Sequence, residues 1–359
     1  VSYYLGNGST NAAYQKLTQT VEEGTVVTFA KVPARTGYVN QGWSSKKNSE
    51  KATAKAKCTV NKNITLYAVQ KKAVQLTFHR CDGSTWQKTT LAKGSSYSLP
   101  GVRDAEGYTF MGWSTKPMQS VSPQYEAEEK ITVNGNVDLY AVVFNRTTET
   151  DLTEDQLPQV DIYKYKQVIF VGDSRTEFME NVLTGMGESA TKNVKFVCSA
   201  GKGLDWFTTT GWAQLYSIVQ HDSNSILSKK TAVIFNFGVN DLSKSADYAE
   251  YYNWIAPQLK SKGCELYFMS VNPVNRLMLP NAGRADRSEA AVRSFNQYMK
   301  ANLSSAYTYI DMYSYLKSTG YSFASDHYGT GTVDDGLHYT TRTYKRIFAK
   351  CMDSLRVPA

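Results

Sequence analysis

The second half of the chain alternates short apolar runs with longer stretches of helical periodicity. The apolar runs predict strands, at 167–171, 194–198, 231–237, 264–270 and 307–310. The stretches between and after them predict helices, near 176–185, 204–220, 246–262, 285–303 and 340–355. Strands that alternate with helices favour a parallel sheet covered by helices. We therefore expect an α/β domain over residues 162–359, built as a three-layer α/β/α sandwich.

The first part of the chain has a different pattern, and the pattern occurs twice. Gly37–Ser44 recurs as Gly107–Ser114, with the shared letters Gly-Tyr and Gly-Trp-Ser. Val60–Val69 recurs as Val133–Val142, with the shared ending Leu-Tyr-Ala-Val. Asn-Gly and Asp-Gly turns beside alternating apolar runs are typical of β-hairpins. The sequence therefore predicts two small β-rich modules in tandem.

These repeats set the expected domain boundaries, with one repeat at 1–72 and the next at 73–146. A core of this size is marginal, so we expect the equivalent residues Trp43 and Trp113 to be core anchors. Residues 147–161 are polar and acidic, which favours a linker or a short capping helix.

One turn in the α/β half carries the candidate chemistry. The strand at 167–171 runs into Gly172-Asp173-Ser174 and then into a helix-like segment. A serine placed there lies at the carboxyl end of a buried strand, where open α/β sheets hold their sites. It also lies beside the positive end of a helix dipole. Ser174 is therefore the candidate nucleophile, although a Gly-Asp-Ser turn alone is also ordinary helix-capping structure.

Three further segments strengthen this hypothesis. Lys195–Gly203 is an apolar run that ends in glycines, and Val233–Asp241 is a buried strand that ends in Gly-Val-Asn-Asp. Near the C-terminus, Asp335 stands three residues before His338. Together with the serine turn, and in this order, the segments resemble the SGNH/GDSL hydrolase family. The resemblance implies that family's flavodoxin-like α/β/α fold and a serine esterase activity that needs no cofactor and no metal.

By this resemblance Ser174 is the nucleophile, His338 is its base and Asp335 orients the imidazole. Asp334 is a neighbouring acid, but the family pattern Asp-x-x-His selects Asp335. His327 follows an acid in a similar polar segment and is a rival base that lacks this spacing. Outside such a motif, the same residues would be a surface histidine and a turn-forming acid.

The resemblance also implies an oxyanion hole. Its three donors would be the Ser174 amide, the Gly203 amide and the Asn240 side chain. A glycine suits the second position because the backbone must approach the substrate without a Cβ in the way. The second motif here holds two glycines and lacks the Asp-Thr that follows in the family, so Gly201 and Gly203 both stay open. Asn240, in an Asn-Asp pair, is otherwise a common turn residue.

Several other side chains are expected near this site. We expect Asp173 to brace the serine loop and Asp241 to cap the third loop. The candidate pocket residues and substrate contacts are Asn272, Pro273, Arg175, Asp205 and Trp206. His79 and His221 are expected to be structural.

The two repeats resemble the Listeria–Bacteroides repeat, a B-repeat type found on bacterial surface proteins. The resemblance implies a β-grasp-like fold, a secreted or cell-surface location of the Gram-positive type, and a spacer or adhesion role. The sequence begins at Val1 without a signal-peptide pattern, so we expect a trimmed form of a longer protein. No apolar run approaches the roughly 18 residues of a membrane-spanning helix.

Composition narrows the alternatives. The 359 residues suit two or three domains, and 42% apolar residues supply packed cores. The formal net charge of +8 comes from lysines that are not interleaved with stacking aromatics, which argues against a nucleic-acid groove. These lysines favour a solvated basic face, and affinity for an anionic cell-surface polymer stays open. No motif predicts a metal site. A bridge between Cys58 and Cys81 stays open, whereas Cys198 and Cys264 are expected to be buried.

The leading prediction is a secreted or surface serine esterase that removes a small acyl group, in first place acetyl, from carbohydrate. The alternatives within enzymes are a lipase-like or thioester acylhydrolase and an O-acyltransferase, which share the covalent intermediate. The alternative outside enzymes is an inactive surface adhesion protein. Nucleotide binding at Gly201–Gly203 is excluded because no phosphate-loop spacing follows.

Overall fold

The structure, a computed structural model, describes residues 1–221, 229–328 and 331–356, with their side chains except at 221, 325–328 and 331–333. The chain forms two compact units. The first consists of Val1–Ser98 with Lys130–Tyr140, and the second of Leu99–Glu129 with Ala141–Ala359. The second repeat therefore contributes to both units, whereas the sequence predicts it as a module of its own.

The β-rich character of the repeats is confirmed. Their strands are β1 Ser2–Tyr4, β2 Val26–Thr28, β3 Tyr38–Ser44, β4 Lys57–Thr59, β5 Thr65–His79, β6 Thr85–Ala92, β7 Ser95–Ser98, β8 Tyr108–Ser114, β9 Lys130–Val133 and β10 Val137–Asn145, with one short helix, α1 Ala12–Gln15. In the first unit, β5 pairs in parallel with β1 and antiparallel with β3 and β6. β2 pairs with β4, and β7 with β9, as antiparallel ribbons.

The two equivalent tryptophans make equivalent contacts. Trp43 is buried and donates from Nε1 to the Ala30 carbonyl at 2.6 Å. Trp113 is fully buried and donates to the Pro100 carbonyl at 2.8 Å. In both copies the acceptor precedes the tryptophan by 13 residues. Each indole thus fills a core while its N–H finds a backbone partner, as a buried tryptophan requires.

The second unit contains a five-stranded parallel sheet. Its strands are β11 Tyr165–Gly172, β12 Val194–Cys198, β13 Lys230–Asn236, β14 Cys264–Met269 and β15 Tyr307–Ile310. They lie in the order β12-β11-β13-β14-β15. The helices are α2 Ser174–Met186, α3 Leu204–Trp206, α4 Trp212–His221, α5 Ser245–Ser261, α6 Glu289–Asn302, α7 Met312–Thr319 and α8 Thr341–Ser354. An antiparallel hairpin, β16 Phe323–Tyr328 with β17 Gly331–Tyr339, precedes α8.

Both faces of this sheet are buried, which explains the continuous apolar runs. Along β11, Ile169 and Val171 enter one core, together with residues of α5 and α6. The alternate residues Val168 and Phe170 enter the opposite core, together with residues of α2 and α8. Successive side chains of a strand point to opposite faces, so every residue of the run is covered. The predicted three-layer α/β/α fold is confirmed.

The elements of the sheet lie close to their predicted positions, but three features of the unit differ. The predicted helix at 204–220 contains a π-helical turn, Phe207–Gly211, between α3 and α4. Helix α7 and the β16–β17 hairpin were not predicted. The hairpin carries few large apolar residues, so its sequence shows neither the alternation of a strand nor the 3.6-residue period of a helix. Within the described ranges, no helix combines the length and the apolar character needed to cross a membrane.

The segment predicted as a linker, 147–161, packs into the second unit. Leu157 and Val160 are buried in the core that faces α2 and α8. Glu149 is also buried, and its carboxylate accepts hydrogen bonds from Arg346 and from the Thr343 hydroxyl. Two 3-10 turns, Arg146–Thr148 and Glu154–Gln156, lie at the start and in the middle of this segment. A polar composition concealed this packing, because two apolar residues and one paired acid are enough to bury the segment.

All five cysteines are free thiols. Cys58 is half-buried and Cys81 is exposed, and they form no bridge. Cys264 is buried as predicted. Cys198 is instead half-buried at the end of edge strand β12, 3.2 Å from a carboxylate oxygen of Glu180. Burial and this acid both raise the pKa of the Cys198 thiol, so it is a weak nucleophile.

The strand order reverses at β11, which lies between β12 and β13. The helices that follow the adjacent strands β11 and β13, α2 and α5, pack on opposite faces of the sheet. At such a point a crevice opens at the carboxyl ends of the strands. The residues that follow β11 and β13, Ser174 and Asn240, flank this crevice. The topology therefore predicts the place of the site before any side chain is considered.

The packing of 147–161 generates a first prediction. Leu157→Ala should lower the free energy of unfolding by about 2–4 kcal/mol, because it leaves a cavity in the core. Ile162→Ala is the matched control, since Ile162 is 49% exposed and its truncation should change stability by less than about 0.5 kcal/mol. Urea unfolding of both variants measures the difference. Equal, small effects would mean that the segment is a free linker.

Candidate active site

Ser174 lies where β11 gives way to α2. The carboxylate of Asp173 caps the helix by accepting a hydrogen bond from the Arg175 amide at 3.0 Å, so the helix begins at Ser174. Gly172 must be a glycine, because an added Cβ would lie 1.9 Å from the Thr176 hydroxyl oxygen. The tight turn and the cap together hold the serine at the positive end of the helix dipole.

Asp335 and His338 form a hydrogen-bonded line to Ser174. His338 Nδ1 lies 2.5 Å from Asp335 Oδ2, and His338 Nε2 lies 2.9 Å from Ser174 Oγ. The other oxygen of Asp335 accepts from the amides of Leu337 and His338, both at 2.8 Å. Gly336, with φ of +67°, allows the turn that folds the carboxylate back onto the ring. The structure thus brings together the three side chains that the sequence selects.

Two opposing effects set the pKa of Asp335. Burial acts to raise it, but the hydrogen bond and electrostatic attraction of His338, with the two backbone amides, outweigh burial and hold the pKa below its usual range. Arg284 adds a cation 3.5 Å from Oδ2. Asp335 is therefore ionised at neutral pH, and an ionised carboxylate at Nδ1 keeps a proton on that nitrogen. Nε2 is then free to accept from a hydroxyl.

Two side chains beside this line were not predicted. The Phe178 ring stacks on the His338 imidazole, with ring centroids 4.5 Å apart. Phe178 follows Ser174 by four residues on α2, so helical periodicity places both on one face, and this signal was available in the sequence. Arg284 belongs to the irregular segment between β14 and α6. No periodicity gives the position of such a residue.

The second and third motif loops lie against each other. Asn240 donates from Nδ2 to the Lys202 carbonyl at 2.8 Å, and Arg287 donates to Asn240 Oδ1 at 2.8 Å. The Arg287 guanidinium can only donate, so the oxygen of the Asn240 side chain faces Arg287 and the nitrogen faces Lys202. Asp241 accepts from the Leu204 amide at 2.9 Å, so it caps the helical segment that begins in the second motif. The cap was expected in the third loop itself, whereas the Asp241 side chain makes no cap hydrogen bond to the turn that follows it, Leu242–Lys244.

The two glycines of the second motif are glycines for different reasons. A Cβ on Gly203 would lie 2.3 Å from Asp241 Oδ2, so the close approach of the loops requires its absence. A Cβ on Gly201 would meet nothing within 4 Å, but its φ of +70° favours glycine. Among the described residues the Gly203 amide has no acceptor.

A cavity of about 400 Å³ adjoins Asn240. Its wall is mostly polar, and its polar lining residues include Asn240, Asp241, Arg276, Asp286, Arg287 and Ser288. Arg276 is paired with Asp286 through two hydrogen bonds, at 2.6 and 2.7 Å. The charges of this wall are therefore largely balanced, and its hydrogen-bonding groups dominate its chemistry.

Family models match both parts of the chain. The family model of the GDSL-like lipase/acylhydrolase matches residues 168–351, more than half of the chain. The chain belongs to this family. It is therefore a serine ester hydrolase. The model of the Listeria-Bacteroides repeat domain matches residues 1–69 and 75–142, which confirms the identity of the two repeats. A search of curated proteins gave no match.

Several solved structures are similar to this chain at low sequence identity. A candidate acylhydrolase from Bacteroides fragilis is 16% identical and covers 56% of this chain and 92% of its own, with a TM-score of 0.39. The catalytic domain of peptidoglycan O-acetyltransferase A from Streptococcus pneumoniae is 16% identical, with coverages of 54% and 94% and a TM-score of 0.32. An acetylxylan esterase from Geobacillus stearothermophilus is 11% identical, with coverages of 54% and 96% and a TM-score of 0.33.

Arg175 of this GDSL hydrolase binds backbone and does not face a pocket. It is 3% exposed. Its Nε donates to the Leu337 carbonyl at 3.1 Å, and its terminal nitrogens donate to the carbonyls of Asn272 and Pro273, each at 2.9 Å. The substrate contact expected of Arg175 is therefore wrong, because the side chain is buried and each of its three nitrogens donates to a backbone carbonyl. Asn272 and Pro273 serve as its acceptors.

The remaining candidates make protein contacts of their own. Asp205 is exposed and pairs with Lys244 at 2.9 Å. The Trp206 ring packs on Phe237, with centroids 6.0 Å apart. Within the first unit, His79 Nε2 lies 2.9 Å from a carboxylate oxygen of Asp138. The side chains of His221 and of His327, the rival base, lie outside the described residues. In the described part of the chain no cluster of three or more His, Cys, Asp or Glu suits a metal ion.

The buried cap Asp173 generates a prediction about pH. Burial raises the pKa of Asp173 to about 6, above the roughly 3.9 of an unfolded chain. The native state therefore holds this proton more tightly, and its contribution to stability is lost as the pH rises from about 4 to about 6. Asp173→Asn keeps the acceptor for the Arg175 amide and stays neutral. Relative to wild type, its free energy of unfolding should rise by up to about 3 kcal/mol between pH 4 and pH 7.

Urea unfolding at pH 4, 5, 6 and 7 measures this difference. Asp311→Asn is the matched control, because Asp311 also caps a helix, accepting from the Ser314 amide at 3.1 Å, but is exposed. Its stability relative to wild type should stay constant over this range. A constant difference for Asp173→Asn as well would contradict the prediction.

Proposed function

We propose that Ser174 is the nucleophile, that His338 is its general base and that Asp335 orients the imidazole. The observation that carries this proposal is the line of two hydrogen bonds from Asp335 Oδ2 through His338 to Ser174 Oγ. A serine hydroxyl is a weak nucleophile at neutral pH, so it needs a neutral imidazole within hydrogen-bond reach. The 2.9 Å separation of Nε2 and Oγ meets that need.

The reaction then runs in two steps. Ser174 Oγ attacks the ester carbonyl carbon while its proton passes to His338 Nε2, and the carbonyl oxygen takes up the electron pair. The tetrahedral intermediate expels the alcohol, which receives the proton from Nε2, and an acyl-serine remains. Water then attacks the acyl-serine with the same proton relay. Acid is released, and the Ser174 hydroxyl is restored.

We place the oxyanion at the Ser174 amide, the Gly203 amide and the Asn240 side chain. Three features support this choice. The Ser174 amide stands in the first turn of α2, where an amide has no intrahelical acceptor. The Gly203 amide has no acceptor among the described residues. Asn240 gives one N–H to Lys202, and an amide group has a second N–H to offer.

We further propose that the substrate is a small acyl ester of carbohydrate, with acetyl as the first candidate. Ser174 and His338 are both buried, which leaves little room for a long acyl chain. The neighbouring cavity offers amide, carboxylate, guanidinium and hydroxyl groups, which suit sugar hydroxyls better than a lipid tail. Listeria–Bacteroides repeats are typical of extracellular proteins, so we propose a secreted or surface-bound enzyme.

The first test compares the full-length wild type with Ser174→Ala, His338→Ala and Asn240→Ala on p-nitrophenyl acetate. The first two variants should lose roughly 10⁴-fold or more in kcat, because each removes part of the proton relay. Asn240→Ala should lose roughly 10²–10³-fold, the usual effect of one oxyanion donor. His79→Ala is the control histidine and should stay within twofold of wild type.

Equal rates in all proteins would represent background hydrolysis and would leave the surface adhesion protein as the better hypothesis. A fluorophosphonate should label the wild type at Ser174. A panel of acetylated glycans, long-chain esters and acceptor sugars then separates the substrates. Preference for long chains would favour the lipase-like enzyme, and acetylated acceptor without free acetate would favour acyl transfer.

We also infer that the first unit binds an anionic cell-surface polymer. Residues 1–98 and 130–140, which form this unit, contain fifteen basic residues (Lys and Arg together) and only five acidic residues (Asp and Glu together). The lysines of one stretch are exposed: Lys46, Lys47, Lys51, Lys55 and Lys57. Exposed like charges of this density attract polyanions, and salt screens the attraction.

Substitution of Lys46, Lys47 and Lys51 by Gln should weaken binding of the full chain to a polyphosphate polymer by about tenfold at low salt. The matched control replaces three exposed lysines of the second unit, Lys192, Lys195 and Lys260. Titrations at increasing NaCl concentration measure both triple variants. Equal weakening would show that the attraction depends on total charge and not on the first unit.

A further inference from the structure

We propose that the second repeat is part of the scaffold of the active site, and that Asp104 is a positioning residue for the Asp335–His338 pair. This inference rests on the proposed function of that pair. Asp104 belongs to Leu99–Glu129, the part of the repeat that lies in the same compact unit as the hydrolase. All the contacts that carry the argument are within this unit.

The sequence of the second copy differs from the first where this packing occurs. Asn40 and Gln41 of the first repeat are exposed. The equivalent residues of the second repeat are Phe110 and Met111, which are buried. Met111 joins the same core as Val168 and Phe170 of β11. The second copy has therefore gained an apolar face, and the hydrolase core covers it.

Asp104 is the polar centre of this face. Its side chain is fully buried. One carboxylate oxygen accepts from the Phe110 amide at 2.9 Å and from Asn275 Nδ2 at 2.8 Å. The other oxygen accepts from Arg146 at 2.7 Å. A buried carboxylate is expensive unless it is paired and hydrogen-bonded, and here both oxygens are used.

Two routes lead from Asp104 to the residues that flank Asp335. Along the first, Arg146 also donates to the Asp334 carboxylate at 2.6 Å. Along the second, Asn275 bonds Asp104 through its side chain and donates from its backbone N–H to the Gly336 carbonyl at 2.8 Å. Asp334 and Gly336 stand immediately before and after Asp335. The residues on both sides of the orienting acid are thus connected to Asp104, Asp334 through its side chain and Gly336 through its backbone carbonyl.

The geometry that these routes maintain matters for rate. The hydrogen bond from His338 to Asp335 is short and directional, so a displacement of the carboxylate rotates the imidazole away from Ser174. A misplacement of about 1 Å at a reacting group costs on the order of 10²-fold in rate. A residue that fixes the Asp335 loop therefore changes kcat without touching the substrate.

The test is Asp104→Asn in the full-length protein. The substituted amide would keep the shape of the carboxylate but offer one acceptor oxygen in place of two, so the grip on Arg146 or Asn275 should loosen. We expect kcat to fall roughly 10-fold to 100-fold, with KM within about twofold. The Nδ1 proton resonance of His338, assigned by its loss in His338→Ala, should move or broaden, because it reports the bond to Asp335 directly.

Two further variants separate positioning from stability. Glu126→Gln is the matched control, since Glu126 also joins this part of the repeat to the hydrolase, through Lys317 at 2.9 Å, but in the described part of the chain its carboxylate contacts neither Arg146 nor Asn275. It should leave kcat and the resonance unchanged. Asp334→Asn, at a side chain that is 17% exposed, tests the first route without disturbing the buried centre. Asp334→Asn should lower kcat by less than Asp104→Asn does, and it should also shift the Nδ1 proton resonance of His338.

The outcomes are decisive. An unchanged resonance in folded Asp104→Asn and Asp334→Asn would overturn the inference, and so would equal changes in Glu126→Gln. The resonance does not depend on turnover. If Ser174→Ala kept wild-type activity, the proposed function would fail, while the link between Asp104 and the His338–Asp335 bond would still be measured.

Discussion

A buried guanidinium connects the three loops on which this active site depends. Arg175 follows the candidate nucleophile, and its donors reach carbonyls after β14 and beside His338. Hydrogen bonds from a charged donor each contribute about 1.5–3 kcal/mol. Without Arg175, three buried carbonyl oxygens would lack this donor. The serine turn, the segment after β14 and the histidine loop are therefore positioned by one side chain that takes no part in the chemistry.

This arrangement explains why a small hydroxyl and an imidazole from distant parts of the chain meet at hydrogen-bond distance. The sheet delivers Ser174 to the carboxyl edge, and the turn at Gly336 folds Asp335 onto the imidazole. Neither element sets the distance between the two loops. Arg175 sets it from one side, and the contacts of Asp334 and Gly336 set it from the other. The site is held by its surroundings more than by its own hydrogen bonds.

The sequence predicted those features that follow from local periodicity or from spacing. The strands of the sheet are buried on both faces, so their apolar runs were visible, and Asp335 with His338 could be selected by the resemblance to the family pattern Asp-x-x-His. The target of Arg175 could not, since a buried arginine and an exposed one look alike in a sequence. Leu157 was hidden in a polar segment. The change from Asn40 and Gln41 to Phe110 and Met111 was a visible signal, but its meaning required knowledge of the surface it meets.

The two units alternate along the sequence, and this alternation has a consequence for biosynthesis. Each unit is built from two separate stretches, and the chain passes from one unit to the other after Ser98, Glu129 and Tyr140. A growing chain releases Leu99–Glu129 long before the strands that cover it exist. The apolar face of the second repeat therefore stays exposed to solvent until the strands of the hydrolase sheet have been synthesised. No single cleavage of the chain separates the intact hydrolase unit from the first unit, because the second repeat is divided between the two units.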